Sequence, residues 1–410
     1  MLIFKKERGI VMYKLYCRAY QTAYRGALYF LPWRKPRLIE GENSLAELPG
    51  ILKESGISSV LVITDEGISS LGLMNGLLEG LRNTEIQYTV CDKTVPNPTI
   101  ANIEIALKMY HENKCDGIIA FGGGSPIDCA KAVGARVARP DKTIPEMKGQ
   151  LKVRRKLPLL AAVPTTAGTG SEATIAAVIS NPETHEKYAI NDLSLIPQIA
   201  VLDPLLTVKL PPHITSTTGM DALTHAVEAY IGRSRTRETM ECSKQAVNLI
   251  FSNLYEAYSN GENITARTNM QKASYLAGVA FTRAYVGYVH AIAHTLGGFY
   301  SVPHGLANAV ILPYVLEYYG ESVHQPLAEL ADAAGIGSPT DPASEKAAAF
   351  IAAIKKLNTD MKIPDKVDGI SETDIPLMVK RALTEANPFY PVPKILADTD
   401  LSKLYFLIKQ

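Results

Sequence analysis

From residue 58 to about residue 205 the chain alternates short β-rich runs with helical runs, and from about residue 213 onward the strand signals stop. That change of rhythm limits the possible folds more than any other feature. Ser58-Ser-Val-Leu-Val-Ile-Thr is apolar and β-branched and ends at Asp65-Glu-Gly, and residues 68–82 then read as a helix. Ile86-Gln-Tyr-Thr-Val reads as a second strand, followed by the turn Val95-Pro-Asn-Pro and an amphipathic helical pattern over 99–114. Gly117-Ile-Ile-Ala-Phe and Leu159-Leu-Ala-Ala-Val supply a third and a fourth strand. Strands alternating with helices of this length build a parallel sheet covered on both faces. The later runs 214–231, 236–258, 265–281 and 341–357 carry helical spacing and break at Gly and Pro clusters such as Ser301-Val-Pro-His-Gly.

The expected fold class is therefore α/β plus all-α. A Rossmann-like domain spans 28–205 and an all-helical domain spans 206–410, with the boundary near Asp203-Pro-Leu-Leu and Leu210-Pro-Pro. Residues 1–27 form an N-terminal extension whose Tyr- and Arg-rich part reads either as a surface helix or as a contact with a partner subunit. Tyr29-Phe-Leu-Pro-Trp reads as an edge strand or a dimer contact.

Charge excludes some functions. With 42 basic and 41 acidic residues the formal net charge is +1, which gives no pull toward nucleic acid or an anionic membrane. The five cysteines contain no Cys-x-x-Cys pair, so a disulfide framework or thiolate metal site is not expected and a reducing, cytoplasmic setting is. No apolar run reaches a membrane span. At the N-terminus the charges follow a very short apolar stretch, the reverse of a signal peptide, and Met12 offers an alternative start.

Two loops follow consecutive strands. Phe121-Gly-Gly-Gly-Ser-Pro-Ile-Asp joins the third strand to a helix, with Ser125 read as the N-cap and Pro126 as part of the first turn. Free N–H groups at such a helix start can hold a phosphate, although a tight βα turn needs the same glycines. Pro164-Thr-Thr-Ala-Gly-Thr-Gly-Ser-Glu-Ala-Thr follows the fourth strand, at the sheet edge where ligands of open α/β sheets bind. Together the loops favour a dinucleotide. Asp65, at the end of the first strand, either accepts hydrogen bonds from an adenosine ribose, which selects NAD over NADP, or opens a turn before Gly67.

The second half gathers ligand-type residues among Ala, Leu and Ile. Asp221 and His225 lie four apart on one helix face, as do His290 and His294, and His304 follows across a bend. An aspartate with three histidines in such surroundings points to a metal, and three nitrogens with one carboxylate suit Fe(II) or Zn(II), also Co(II) or Ni(II). Ala291 stands where a His-Glu-x-x-His metalloprotease carries its glutamate, which argues against hydrolysis by that route, and an ion in such a site can act as a Lewis acid on an alcohol oxygen.

These motifs resemble the iron-containing (group III) alcohol dehydrogenases. The resemblance rests on Gly122-Gly-Gly-Ser-Pro-Ile-Asp, the Pro164 loop, Gly219-Met-Asp-Ala-Leu-Thr-His-Ala-Val-Glu, and the run from His290 through His304. It implies a dehydroquinate-synthase-like fold, an N-terminal dinucleotide-binding domain and, as in the family, a homodimer. It also implies hydride transfer between NAD(H) and a small alcohol or aldehyde. The implied metal ligands are Asp221, His225, His290 and His304, with His294 a non-ligand proton relay. Gly123, Gly124 and Ser125 match the pyrophosphate loop, Thr165, Thr166 and Thr174 the second cofactor loop, Lys187 a contact to the nicotinamide ribose, and Asp65 and Asn97 the adenosine side. Ala176 stands where related lactaldehyde reductases carry asparagine, which weighs against a diol-specific reading.

Three alternatives share these motifs: a lyase resembling dehydroquinate synthase, a metal-independent reductase resembling maleylacetate reductases, and a non-catalytic scaffold. The lyase needs a basic cluster beside the metal, and only Arg283 is near the histidines in sequence. The complete Asp/His set and both loops oppose the other two.

Overall fold

The computed structural model describes residues 2–181 and 186–410, with side chains from residue 11 onward. Nine strands are present among these residues: β1 (Arg37–Glu40), β2 (Ser59–Ile63), β3 (Gln87–Cys91), β4 (Gly117–Gly122), β5 (Gly149–Gln150), β6 (Leu159–Pro164), β7 (Ala176–Asn181), β8 (Glu186–Asn191) and β9 (Ile199–Leu202). Six of them form one parallel sheet in the order β1-β9-β6-β4-β2-β3. A smaller sheet, β5-β8-β7, pairs β7 with β8 antiparallel.

The apolar runs of β2, β4 and β6 are explained by cover on both faces. Leu61, Ile63, Ile118 and Ala120 pack on one side with Ile103 and Ile127, while Val60, Val62, Ile119 and Phe121 pack on the other with Leu48, Leu52, Leu77 and Leu81. Successive residues of a strand point to opposite faces, so a doubly covered strand is apolar throughout rather than alternating. Helix α1 (Leu2–Tyr29) precedes this half, whose own helices are α2 (Leu48–Glu54), α3 (Glu66–Ser70), α4 (Asn75–Asn83), α5 (Ile100–Glu112) and α6 (Gly124–Ala138).

From residue 212 the chain is helical: α7 (Pro212–Ile231), α8 (Arg237–Ser259), α9 (Ile264–Ala284), α10 (Tyr288–Tyr300), α11 (His304–Tyr319), α12 (His324–Ala334), α13 (Ala343–Asp360), α14 (Ile375–Ala386) and α15 (Asp398–Ile408). Helix α7 is buried from Gly219 to Ile231 and packs against α8, α9 and α11. A helix buried all round sits at the centre of its domain, and any polar side chain it carries must find partners there. None of the described helices is long and apolar enough to cross a membrane.

Three local expectations change, and the surface-helix reading of the extension holds. The run 68–82 is two helices, because Gly72 takes φ +68° between α3 and α4. The edge strand is Arg37–Glu40 beside β9, whereas Tyr29 ends α1 and is 75% exposed, as Phe30 is 84% exposed. The N-cap of α6 is Gly123, not Ser125, and no side chain caps that helix. The N-terminal extension is a helix that docks on the helical half of its own chain. Cys17 is buried in that core, Arg18 donates to the carbonyls of Val392 and Pro393 at 2.7 Å, and Gln21 donates to that of Tyr390 at 2.7 Å.

Candidate active site

The adjacency of β4 and β6 brings the two sequence loops side by side at the carboxyl edge of the sheet. Gly122 takes φ +146°, and a Cβ on it would lie 2.7 Å from Pro126 Cγ. A Cβ on Gly124 would lie 2.7 Å from Thr169 Cγ2, so a side chain there would drive the loops apart. With Gly123 as N-cap and no capping side chain, the first N–H groups of α6 are left for a ligand, the arrangement that suits a phosphate. The Thr165 hydroxyl is buried without a partner beside them. Thr166 faces the same turn, 3.4 Å from where a Gly123 Cβ would lie.

Other predicted cofactor residues form a linked set. The Ser125 hydroxyl accepts from the Asn97 N–H at 3.1 Å, and Lys187 Nζ donates to Asn97 Oδ1 at 2.8 Å. Burial pushes the Lys187 ammonium below its ordinary range, opposed by the charges of Asp128, Asp221 and Glu385. Asp65 does two things at once. Its Oδ1 caps α3 by accepting from the Ile68 N–H at 2.9 Å, while Oδ2 lies 3.6 Å from where a Gly122 Cβ would be, against the glycine loop.

Thr174 faces inward. Its hydroxyl accepts from Lys131 Nζ at 2.8 Å, and the same ammonium reaches Ser171 Oγ, Thr174 O and Ala176 O within 3.0 Å. Lys131 is fully buried, and desolvation pushes its pKa down to about 8. This lysine ties the second loop to α6 and was not singled out in the sequence. A signal existed: Ile127, Ala130, Lys131 and Gly134 fall at i, i+3, i+4 and i+7, so Lys131 lies on the apolar stripe.

The metal candidates converge. One ligand atom from each of Asp221, His225, His290 and His304 lies within 4.8 Å of all the others. Asp221 Oδ1 is 3.6 Å from His304 Nε2 and 4.0 Å from His290 Nε2, and Asp221 Oδ2 is 3.9 Å from His225 Nδ1. Ligands about 2.1 Å from a tetrahedral ion are about 3.4 Å apart, so the Asp221 distances need a small contraction and the full set, spread over up to 4.8 Å, a larger one. Helix α7 supplies Asp221 and His225 one turn apart, α10 supplies His290, and α11 opens with His304.

Three further observations fit a cation here. His225 Nδ1 is buried and has no hydrogen-bond partner. Burial holds His225 and His304 far below the ordinary histidine range, keeping their nitrogens neutral as ligation requires. Burial also pushes the Asp221 carboxyl up, a cost that a neighbouring dication reverses.

Supporting residues surround the cage. His290 Nδ1 donates to Glu228 Oε2 at 2.6 Å, which turns Nε2 toward the cage. Asn308 Nδ2 donates to Asp221 Oδ1 at 2.6 Å and lies 3.3 Å from His290 Nε2 and 3.2 Å from His304 Nε2. His294 points elsewhere. Its Nδ1 donates to Glu385 Oε1 at 2.7 Å, an oxygen that also accepts from the Tyr390 hydroxyl at 2.7 Å. Its ring stacks on that of His304 at 5.2 Å, which keeps it beside the cage and outside the four-atom cluster. Glu228, Asn308 and Glu385 were not singled out from sequence. Glu228 lies seven residues after Asp221 and three after His225, on their helix face, and that spacing was its one signal. Arg283 is turned away, paired with Glu238 at 2.7 Å and stacked over Trp33.

Residues 35–204 match the family described as iron-containing alcohol dehydrogenase, and residues 215–406 match its C-terminal domain. The chain belongs to the iron-containing alcohol dehydrogenase family. Among its relatives are 1,3-propanediol dehydrogenase of Klebsiella pneumoniae, 40% identical over 85% of this chain and 91% of that one, and NAD-dependent methanol dehydrogenase of Bacillus methanolicus, 35% identical over 88% and 95%. A solved 1,3-propanediol oxidoreductase superposes with a TM-score of 0.88 at 35% identity, covering 92% of this chain and 99% of that one. The dehydrogenase family thus accounts for both halves and leaves α1 outside its matched residues.

Proposed function

We propose that this iron-containing alcohol dehydrogenase interconverts a small primary alcohol and its aldehyde with NAD(H), using a divalent ion, Fe(II) or Zn(II), held by Asp221, His225, His290 and His304. The observation that carries this reading is the convergence of those four ligand atoms in one buried cluster. When bound, the ion supplies Lewis acidity toward an alcohol oxygen and the nicotinamide supplies the hydride acceptor.

The chain's own residues do the rest. Glu228 fixes the His290 tautomer, and Asn308 holds Asp221 in place. His294, anchored through Nδ1 by Glu385, has Nε2 left to take the hydroxyl proton and pass it to solvent; it is 17% exposed in its side chain. Gly123, Gly124 and Ser125 hold the pyrophosphate, Thr165 and Thr166 line the second loop, and Thr174 and Lys131 hold that loop's shape. Asp65 and Asn97 serve the adenosine side, and Lys187 reaches from Asn97 toward the nicotinamide ribose, with Asp65 disfavouring a 2′-phosphate.

The domains are taken as 28–205 and 206–410, with 1–27 an added helical segment, and the protein as a cytoplasmic homodimer. The test is NADH oxidation by the purified protein with a panel of short aldehydes, with and without added Fe(II). Fe(II)-stimulated oxidation is expected; no oxidation with any aldehyde overturns the assignment.

A further inference from the structure

The turn joining α7 to α8, Gly232-Arg-Ser-Arg-Thr-Arg, carries three arginines in five residues. Arg233, Arg235 and Arg237 line a surface cavity of about 750 Å³, joined by Lys244 of α8 and by Arg25 of the N-terminal helix. Only one carboxylate, Glu241, shares that lining. The acid in the first turn of α8, Glu238, is committed elsewhere, at 2.7 Å from both Lys35 and Arg283. None of the five cations is in an ion pair with a carboxylate among the described residues, although exposed lysines elsewhere, such as Lys148 with Glu186, are.

Three of the five cations, Arg25, Arg235 and Lys244, are held in place. Arg235 donates to the Tyr230 carbonyl at 2.9 Å and lies 5.5 Å from the centre of the Tyr230 ring, and Lys244 Nζ lies 5.7 Å from the same ring. Tyr230 is itself fully buried, with its hydroxyl on Glu329. Arg25 donates to the Arg233 carbonyl at 3.2 Å, so the extension fixes the turn that carries the arginines. Like charges close together on a surface repel one another, at a cost that falls with distance and with salt. Five around one cavity multiply that cost, Glu241 in the lining and Glu329 beside Arg235 and Lys244 offset part of it, and a polyanion removes the rest. Guanidinium groups match phosphoryl oxygens through paired N–H donors. The apolar walls Ile231 and Met240 leave room for an organic body beside the charge.

We propose that this cavity binds a multiply charged phosphoryl anion at a site separate from the glycine loop. The experiment is calorimetric titration of the full-length protein with inorganic pyrophosphate, at low and high salt, alongside the double variant R233Q/R237Q. One-to-one binding is expected, weakening with salt and falling at least about tenfold in the variant, with the variant's melting temperature no lower than the parent's. Three results overturn the proposal. One is absence of saturable binding. Another is binding equally tight in the variant, which places the anion at the glycine loop. The third is dissociation of a wild-type oligomer in R233Q/R237Q without pyrophosphate binding, which makes the cavity a subunit contact. Co-sedimentation with phosphatidic acid vesicles separates a lipid headgroup from a free anion. The free anion leaves the protein in the supernatant, and sedimentation in place of pyrophosphate binding overturns it.

Discussion

Glu228 Oε2 lies 2.6 Å from His290 Nδ1, and the same carboxylate accepts from the N–H groups of Gly287 and Val289 at 2.9 Å each. One side chain of α7 thus caps the start of α10 and orients the histidine that α10 contributes to the cage. The cap and the proposed ligand share one carboxylate, so loosening it should affect both folding and any metal held there.

Glu228→Gln tests this coupling. An amide has one acceptor oxygen and sets an NH2 against a backbone N–H or His290. Metal affinity should fall by about 10- to 100-fold, and stability by about 1–3 kcal/mol. Metal titration with a chromophoric chelator and thermal melting read the two effects; unchanged metal affinity would remove Glu228 from this role.

Gly124→Ala should weaken dinucleotide binding while leaving metal content intact, because the new Cβ meets Thr169 Cγ2 at 2.7 Å. Adding Thr169→Ser deletes that methyl and should restore part of the loss. Fluorescence titration with NADH decides the matter. A Gly124→Ala protein that binds NADH as tightly as the parent contradicts the steric account.

Lys131→Met leaves Thr174 O and Ala176 O without their buried donor, a loss of about 1–3 kcal/mol for each unsatisfied group. The expected signature is a lower melting temperature together with a raised KM for NAD+, since the second loop loses its anchor. A variant as stable as the parent would mean that water replaces the ammonium at no cost.

Glu172 makes a pH prediction. It is buried, and desolvation raises its carboxyl from 4.5 to about 7. Between those values the unfolded chain has released the proton and the folded chain retains it, so stability falls as pH rises from 4.5 to 7. Glu172→Gln should flatten that part of the profile. Chemical denaturation at half-unit pH steps measures it, and an identical slope in the variant would assign the dependence to other groups.

The sheet was legible because β2, β4 and β6 are covered on both faces, which makes each a continuous apolar run between turns. The convergence of Asp221 with the histidines was legible because polar side chains stand out in apolar helices. Glu228 was harder, since a glutamate at i+7 on a helix reads the same whether it caps another helix or faces water. Glu385 meets His294 across 91 residues of chain, with Tyr390 donating to the same oxygen, and no local pattern encodes that contact. The break at Gly72 and the shift of the α6 cap from Ser125 to Gly123 are single-residue backbone choices, below the resolution of periodicity. The N-terminal helix read as either a surface helix or a partner contact because its inward face holds few apolar residues. What docks it is Arg18 and Gln21 on backbone carbonyls, which a hydrophobic pattern does not register.

The claim on which everything else rests is that Asp221, His225, His290 and His304 hold one catalytic ion. Measuring metal stoichiometry by elemental analysis and aldehyde-dependent NADH oxidation on the same preparations of parent and His290→Ala protein tests it most directly. The expectation is close to one ion per chain in the iron-loaded parent, with both metal and activity lost in the variant. A variant that keeps its ion and its activity within a few-fold, or a parent that is fully active after its metal has been stripped, would contradict it.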